Sequence, residues 1–213
     1  MFIKICGVKE PKHIELIDRL GGTAFGVIVG VPESPRNISI KHARMLIEEK
    51  PKGIKSVLVT KQSSMDKLQK LDNEINPDLI QNYYKDSCFL SEIGKLNKDT
   101  QGKYIIPIQK PNASREGHLK FQEIIPQGVR YLIYDNSHGT GDKLDCTAAK
   151  QIKDKYNQYD IIFAGGLNIN NVKEFVKFVN PFGIDLSSGV EASKGEKSPK
   201  LISSFFQAIN QEK

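Results

Sequence analysis

Short apolar runs alternate along this chain with longer stretches whose apolar residues recur every three or four positions. The short runs are Phe2–Cys6, Phe25–Gly30, Ile54–Thr60, Asp78–Asn82, Tyr104–Gln109, Arg130–Asp135, Asp160–Ala164 and Gly183–Ser187. Their β-branched and aromatic content predicts strands. The stretches between and after them are Lys9–Leu20, Ile40–Glu49, Ser63–Asn73, Ser87–Leu96, Arg115–Ile125, Thr147–Tyr156, Asn170–Val179 and Pro199–Ile209. Their spacing predicts amphipathic helices. Two helix starts carry local marks: Asn170-Asn171 before an apolar-periodic run, and Ser198-Pro199, a cap followed by proline at the first helical position.

Eight apolar strands, each followed by a helix, predict a parallel sheet covered on both faces. An open doubly wound sheet would show the same alternation. Eight complete units, with a strand at the very start, favour closure into a single (β/α)8 TIM barrel of the α/β class. The 213 residues suit it, since such barrels run to about 250 residues with a lower limit of about 200. No Pro/Gly/Ser-rich linker divides the chain, so residues 1–213 are read as one catalytic domain.

Composition narrows the function classes. With 38% hydrophobic and 26% charged residues, the chain can form a sizeable core and its composition argues against disorder. The net charge of +6 reads first as a lysine-rich solvated surface; the alternative is a field that favours an anionic ligand. No basic stripe with interleaved aromatics is present, which argues against nucleic acid. Cys6, Cys88 and Cys146 are odd in number and fit neither a disulfide framework nor a metal site. They suit a reducing, cytoplasmic setting. The apolar run at Met1–Cys6 is too short for a signal peptide. No stretch nears the ~20 apolar residues that span a bilayer, so no membrane partner is expected.

In such barrels the reactive groups lie just beyond the carboxyl ends of the strands. Cys6-Gly7 follow the first strand, and Gly30 to Arg36 the second. The sixth ends in Asp135, followed by Asn136 to Gly141. Gly165-Gly166 follow the seventh, and Ser188-Gly189 the eighth. A glycine lets backbone N–H groups approach an anion closely. Two glycine loops on adjacent final strands predict a phosphate site. Cys6 and Asp135, at the ends of different strands, are candidates for one base and one acid. Period-two geometry adds a third expectation: Lys4 shares the face of Cys6, and Asp185 that of Ser187. Since strand eight adjoins strand one on closure, Lys4 and Asp185 are expected to pair inside the barrel, where either charge alone would be costly. His138 is read as an exposed loop histidine, and Cys88 and Cys146 as helix packing or helix-start residues.

At these residues the chain resembles the phosphoribosylanthranilate isomerases of tryptophan biosynthesis. The matching motifs are Lys4-Ile5-Cys6-Gly7, Ser34-Pro35-Arg36, Gly139-Thr140-Gly141, Ala164-Gly165-Gly166-Leu167 and Asp185-Leu186-Ser187-Ser188-Gly189-Val190-Glu191. They follow the family's order and span nearly the whole chain. The resemblance implies an aldose–ketose isomerase that performs an Amadori rearrangement of a small phosphorylated substrate, without metal or cofactor. By the same resemblance, Asp135 is the general acid that opens the ribose ring and Cys6 the general base at C2. Arg36 contacts the anthranilate carboxylate, and Gly139, Gly165, Gly166, Ser188 and Gly189 line the substrate. The chain departs from the family at Gln81-Asn82-Tyr83-Tyr84, where Gln-Leu-His-Gly is usual. It departs again at His138, Leu144-Asp145-Cys146 and Ile105–Lys110. Two alternatives stand beside this reading. One is a related isomerase of a histidine-pathway aminoaldose, although those enzymes place aspartate where Cys6 stands. The other is a barrel that binds a phosphorylated aminosugar without turnover. A monomer or a homodimer is expected.

Overall fold

The structure, a computed structural model, describes residues 1–83, 87–108, 125–135 and 145–210. Strands β1 (Phe2–Cys6), β2 (Ala24–Ile28), β3 (Lys55–Thr60), β4 (Leu79–Asn82), β5 (Tyr104–Ile108), β6 (Tyr131–Asp135), β7 (Asp160–Ala164) and β8 (Gly183–Leu186) are parallel and close on themselves. The described helices are α1 (Pro11–Arg19), α2 (Ile40–Glu48), α3 (Met65–Ile75), α4 (Ser87–Gly94), α5 (Lys98–Gln101), α6 (Cys146–Lys155), α7 (Val172–Val179) and α8 (Pro199–Asn210). The helix expected at Arg115–Ile125 lies, but for Ile125, outside the described residues, as does the Cys88 side chain.

Each strand is buried on both faces, so it alternates between two cores rather than between core and water. In β1, Ile3 and Ile5 pack outward with the helices, while Phe2 and Cys6 join an inner cluster with Val57, Val59, Leu79, Ile133 and Ile162. The rings of Phe2, Tyr131 and Phe182 meet at centroid distances of 5.9–6.2 Å and fill the amino-terminal end of the cylinder. Closure sets Lys4 of β1 opposite Asp185 of β8.

Helix boundaries follow local chemistry. Pro11 supplies the first turn of α1, and the Ser64 side chain caps α3. Ser198 Oγ accepts from the Leu201 amide, as its place before Pro199 predicts. The cap expected at Asn170-Asn171 differs: Asn171 precedes α7 but makes no side-chain cap. Its side chain turns back to the loop after β7, accepting from the Asn168 amide and donating to the Gly166 carbonyl.

Two strands end earlier than the apolar pattern predicts. Beyond β2, Gly30 takes a φ of +74° and the chain turns away. Beyond β8, Ser187 breaks the extended path and Ser188–Val190 form a short 3-10 turn. A hairpin of β9 (Glu191–Ser193) and β10 (Glu196–Lys197) follows. It was not legible because its residues are few and polar, with no alternation to betray a strand.

Candidate functional site

The upper layer of the barrel interior is polar where the lower layers are aromatic and aliphatic. Lys4 Nζ lies 2.7 Å from Asp185 Oδ2, and both side chains are buried. The expected pair is therefore present. Burial works against the charge on Lys4, but Asp185 and Cys6 outweigh it and hold the ammonium above its ordinary range. That direction and the short contact fit an ionised pair. Burial also raises the Asp185 carboxyl against the pull of Lys4, a measure of what desolvation costs here.

Cys6 ends β1 one alternation above Lys4 and is buried. Burial pushes its thiol up, and the nearby cations Lys4 and Lys197 oppose this without cancelling it. Gly26 of the adjacent strand makes room for both side chains: a Cβ there would sit 3.1 Å from Lys4 Cε and 3.2 Å from Cys6 Sγ. Asp135 ends β6, half-buried, on the inward-facing parity of Tyr131 and Ile133. Tyr83, just past β4, donates from its hydroxyl to Asp135 Oδ2 at 3.2 Å and lies within electrostatic reach of Cys6. The thiol and the carboxylate thus face one mouth.

Arg36 reaches that mouth from the loop after β2. Its stem crosses Gly7, where a Cβ would sit 2.5 Å from Arg36 Cδ and where φ is +75°. Glu191 grips the guanidinium in a fork, Nε to Oε1 at 2.6 Å and Nη2 to Oε2 at 2.7 Å. Lys197 Nζ donates to the same carboxylate at 2.6 Å, to the Ser187 carbonyl at 2.9 Å and to Ser187 Oγ at 3.3 Å. Ser187 Oγ in turn donates to the Cys6 carbonyl at 3.2 Å. A continuous polar path therefore ties the β2 loop, the hairpin, and the ends of β8 and β1. From sequence, Glu191 was part of a motif without a role and Lys197 was missed. A lysine buried by the turn of its own short polar hairpin leaves no apolar pattern to mark it.

Burial alone would raise the Glu191 carboxyl. The bonds from Arg36, Lys197 and the Gly195 amide override it and hold the group at about 2. A carboxyl depressed on folding stabilises the fold above its unfolded value and loses that contribution as pH falls through its folded value. Lowering it from 4.5 to about 2 contributes on the order of 3 kcal/mol at neutral pH. Stability should therefore fall between pH 4.5 and about 2. Glu191→Gln should flatten that part of a chemical-denaturation profile and cost stability at pH 7; an unchanged profile would contradict the assignment.

On the far side, Gly165 and Gly166 follow β7 with φ of +96° and +70°, a path that side chains resist. Asn168 and Asn171 both donate to the Gly166 carbonyl and fix the turn. Ser188 and Gly189 open the 3-10 turn after β8. A Cβ on Gly189 would fall 2.1 Å from the Leu167 carbonyl oxygen, so the two loops touch only because that position is bare. Gly139 and His138 lie outside the described residues. Among the described residues, no group of three or more His, Cys, Asp or Glu side chains is placed to hold a metal ion. None of the described helices is long and apolar enough to cross a membrane.

Known proteins bear on this arrangement. The family model described as N-(5'-phosphoribosyl)anthranilate (PRA) isomerase matches residues 3–208. The N-(5'-phosphoribosyl)anthranilate isomerase of Methanococcus vannielii is 33% identical over 214 residues, covering 98% of this chain and 98% of its own. That of Methanococcus aeolicus is 32% identical over 215 residues, with the same coverage of each. The solved phosphoribosyl anthranilate isomerase from Thermococcus kodakaraensis superposes with a TM-score of 0.77 at 28% identity, covering 99% of each chain. A match over almost the whole barrel, on a chain that gathers its polar groups at the carboxyl-terminal mouth, means that this protein belongs to the PRA isomerase family.

Proposed function

We propose that this barrel isomerises N-(5'-phosphoribosyl)anthranilate to the carboxyphenylamino-deoxyribulose phosphate by general acid–base catalysis. The observation that carries the proposal is that Cys6 and Asp135 end β1 and β6 on inward positions, with Tyr83 in reach of both. Asp135 gives a proton to the ribose ring oxygen as the C1–O bond breaks, and the anthranilate nitrogen lone pair forms the C1=N bond. Cys6, as thiolate, takes the C2 proton, and the C2–H electrons flow toward that iminium to give the enolamine. Tautomerisation then yields the aminoketose. No redox partner is needed.

The substrate is anchored at both ends. Its phosphate sits at Gly165, Gly166, Ser188 and Gly189. Its anthranilate carboxylate meets Arg36. Glu191 occupies the Nε–Nη2 edge of that guanidinium, which leaves the Nη1 end for the ligand and fixes its direction.

Turnover of phosphoribosylanthranilate by the purified protein tests the reading. Formation of the aminoketose is expected, and inorganic phosphate at high concentration should compete. Gly189→Ala, which forces the β7 and β8 loops apart, should raise KM at least tenfold with a smaller effect on kcat. Binding of a product analogue with no turnover would instead favour a barrel that only binds, and turnover of an imidazole-bearing aminoaldose alone would move the substrate assignment.

A further inference from the structure

At the mouth of the barrel one side chain has no role in the chemistry described so far. Tyr83 stands where the resembled family usually carries histidine, and from sequence it signalled only a departure. In the structure its hydroxyl sits between two inward-facing groups. Gln81 Nε2 donates to Tyr83 Oη at 2.8 Å, and Tyr83 Oη donates to Asp135 Oδ2 at 3.2 Å. Gln81 is wholly buried on β4, one alternation below Tyr83.

The direction of this relay follows from its donors. A side-chain amide N–H can only donate, so it takes a lone pair of the phenol and commits the phenol proton onward. Turning the Gln81 amide round would draw that proton to Gln81 and set two oxygen lone pairs against each other over the 3.2 Å to Asp135. Burial, and then the charges of Asp135, Asp185 and Cys6, push the phenol well above its ordinary range, so it remains a donor at every working pH.

We propose that Tyr83, held by Gln81, is a positioning residue that fixes the plane of the Asp135 carboxyl for proton delivery to the sugar ring. The proposal rests on the reading of Asp135 as the general acid. A carboxyl at the end of a strand takes its plane from the neighbours that hydrogen-bond it, and the Tyr83 hydroxyl is one of these. A phenol hydrogen-bonded on its own far side is a rigid restraint, with its ring packed against the inner cluster. The family's usual histidine and this tyrosine then present different donors at the same place above β4.

The test is a cycle of Tyr83→Phe, Asp135→Asn and the double variant, with kcat and KM measured for phosphoribosylanthranilate. Tyr83→Phe keeps the ring and removes only the hydroxyl. It should lower kcat about ten- to a hundredfold, the range for losing a hydrogen bond to the negative charge that develops on Asp135 as its proton leaves, and leave KM within about twofold of the parent. In the Asp135→Asn background the same change should have little further effect, because the group being positioned is gone. Thermal melting of Tyr83→Phe near that of the parent separates positioning from folding. If Asp135→Asn is inactive while Tyr83→Phe turns over at the parental kcat, or if the two losses simply multiply, the relay is overturned and the acid assignment stands. If Asp135→Asn retains parental kcat, the acid assignment itself falls and the relay with it. Gln81→Met gives a second variant: it should lower kcat less than Tyr83→Phe, and a larger loss would overturn the order of the relay.

Discussion

Cys6→Ala and Asp135→Asn should each lower kcat by two to four orders of magnitude, the range a positioned acid or base supplies. The losses should fall on kcat more than on KM. The glycine loops and Arg36, to which the two ends of the substrate are assigned in the proposed reading, lie outside both substitutions. Cys6→Ser sharpens the result. Serine nearly matches the shape of cysteine, but its hydroxyl does not ionise in the working range, so Cys6→Ser should be as slow as Cys6→Ala. The setting of the thiol suits the role proposed for it. Burial raises it, and Lys4 and Lys197 restrain the rise. Once ionised, such a thiolate is a stronger base toward a C–H proton than an ordinary one. Steady-state rates, with calorimetric binding of a product analogue to confirm that the pocket survives, decide the matter. Parent-like rates in both Cys6→Ala and Asp135→Asn would end the assignment of base and acid.

The positions of the candidate residues were legible because barrel geometry sets strand ends at one face. Cys6, Asp135, Gly165 and Ser188 could be picked out by asking which residues follow each apolar run. The Lys4–Asp185 contact was legible for a sharper reason: strand alternation and closure together fix which side chains of the first and last strands meet. What could not be read was set by the particular path of loops and turns, or by residues far apart in sequence that the barrel brings together. Lys197 is buried because a polar hairpin folds it beneath Glu191 and Ser187. Tyr83 meets Asp135 because β4 and β6 flank β5 and both side chains turn inward above it. Asn171 looked like a helix cap, the local use of its side chain, but the loop after β7 offers a carbonyl and an amide that bind it instead. For Lys197 and Asn171 the deciding partners lie within ten residues, in a turn whose path the sequence does not announce; for Tyr83 the partner comes from another strand.

Lys4→Met and Asp185→Asn should each destabilise the barrel by about 3–5 kcal/mol, because either change strands a buried charge. For a domain of this size that corresponds to a fall in Tm of roughly 6–20 °C. The double variant Lys4→Met/Asp185→Leu should recover much of the loss, since an apolar pair removes both desolvation costs at once. Fully additive losses, or single variants within about 0.5 kcal/mol of the parent, would contradict an energetically coupled pair. The reason to keep so expensive a pair lies one alternation higher. Lys4 is one of two cations that oppose the effect of burial on the Cys6 thiol, and Asp185 holds it in place at 2.7 Å. An apolar replacement leaves the thiol with Lys197 alone. The double variant should therefore fold nearly as well as the parent and turn over at least tenfold more slowly. Stability and rate moving apart in one protein would locate the value of the pair in the chemistry it supports rather than in the fold.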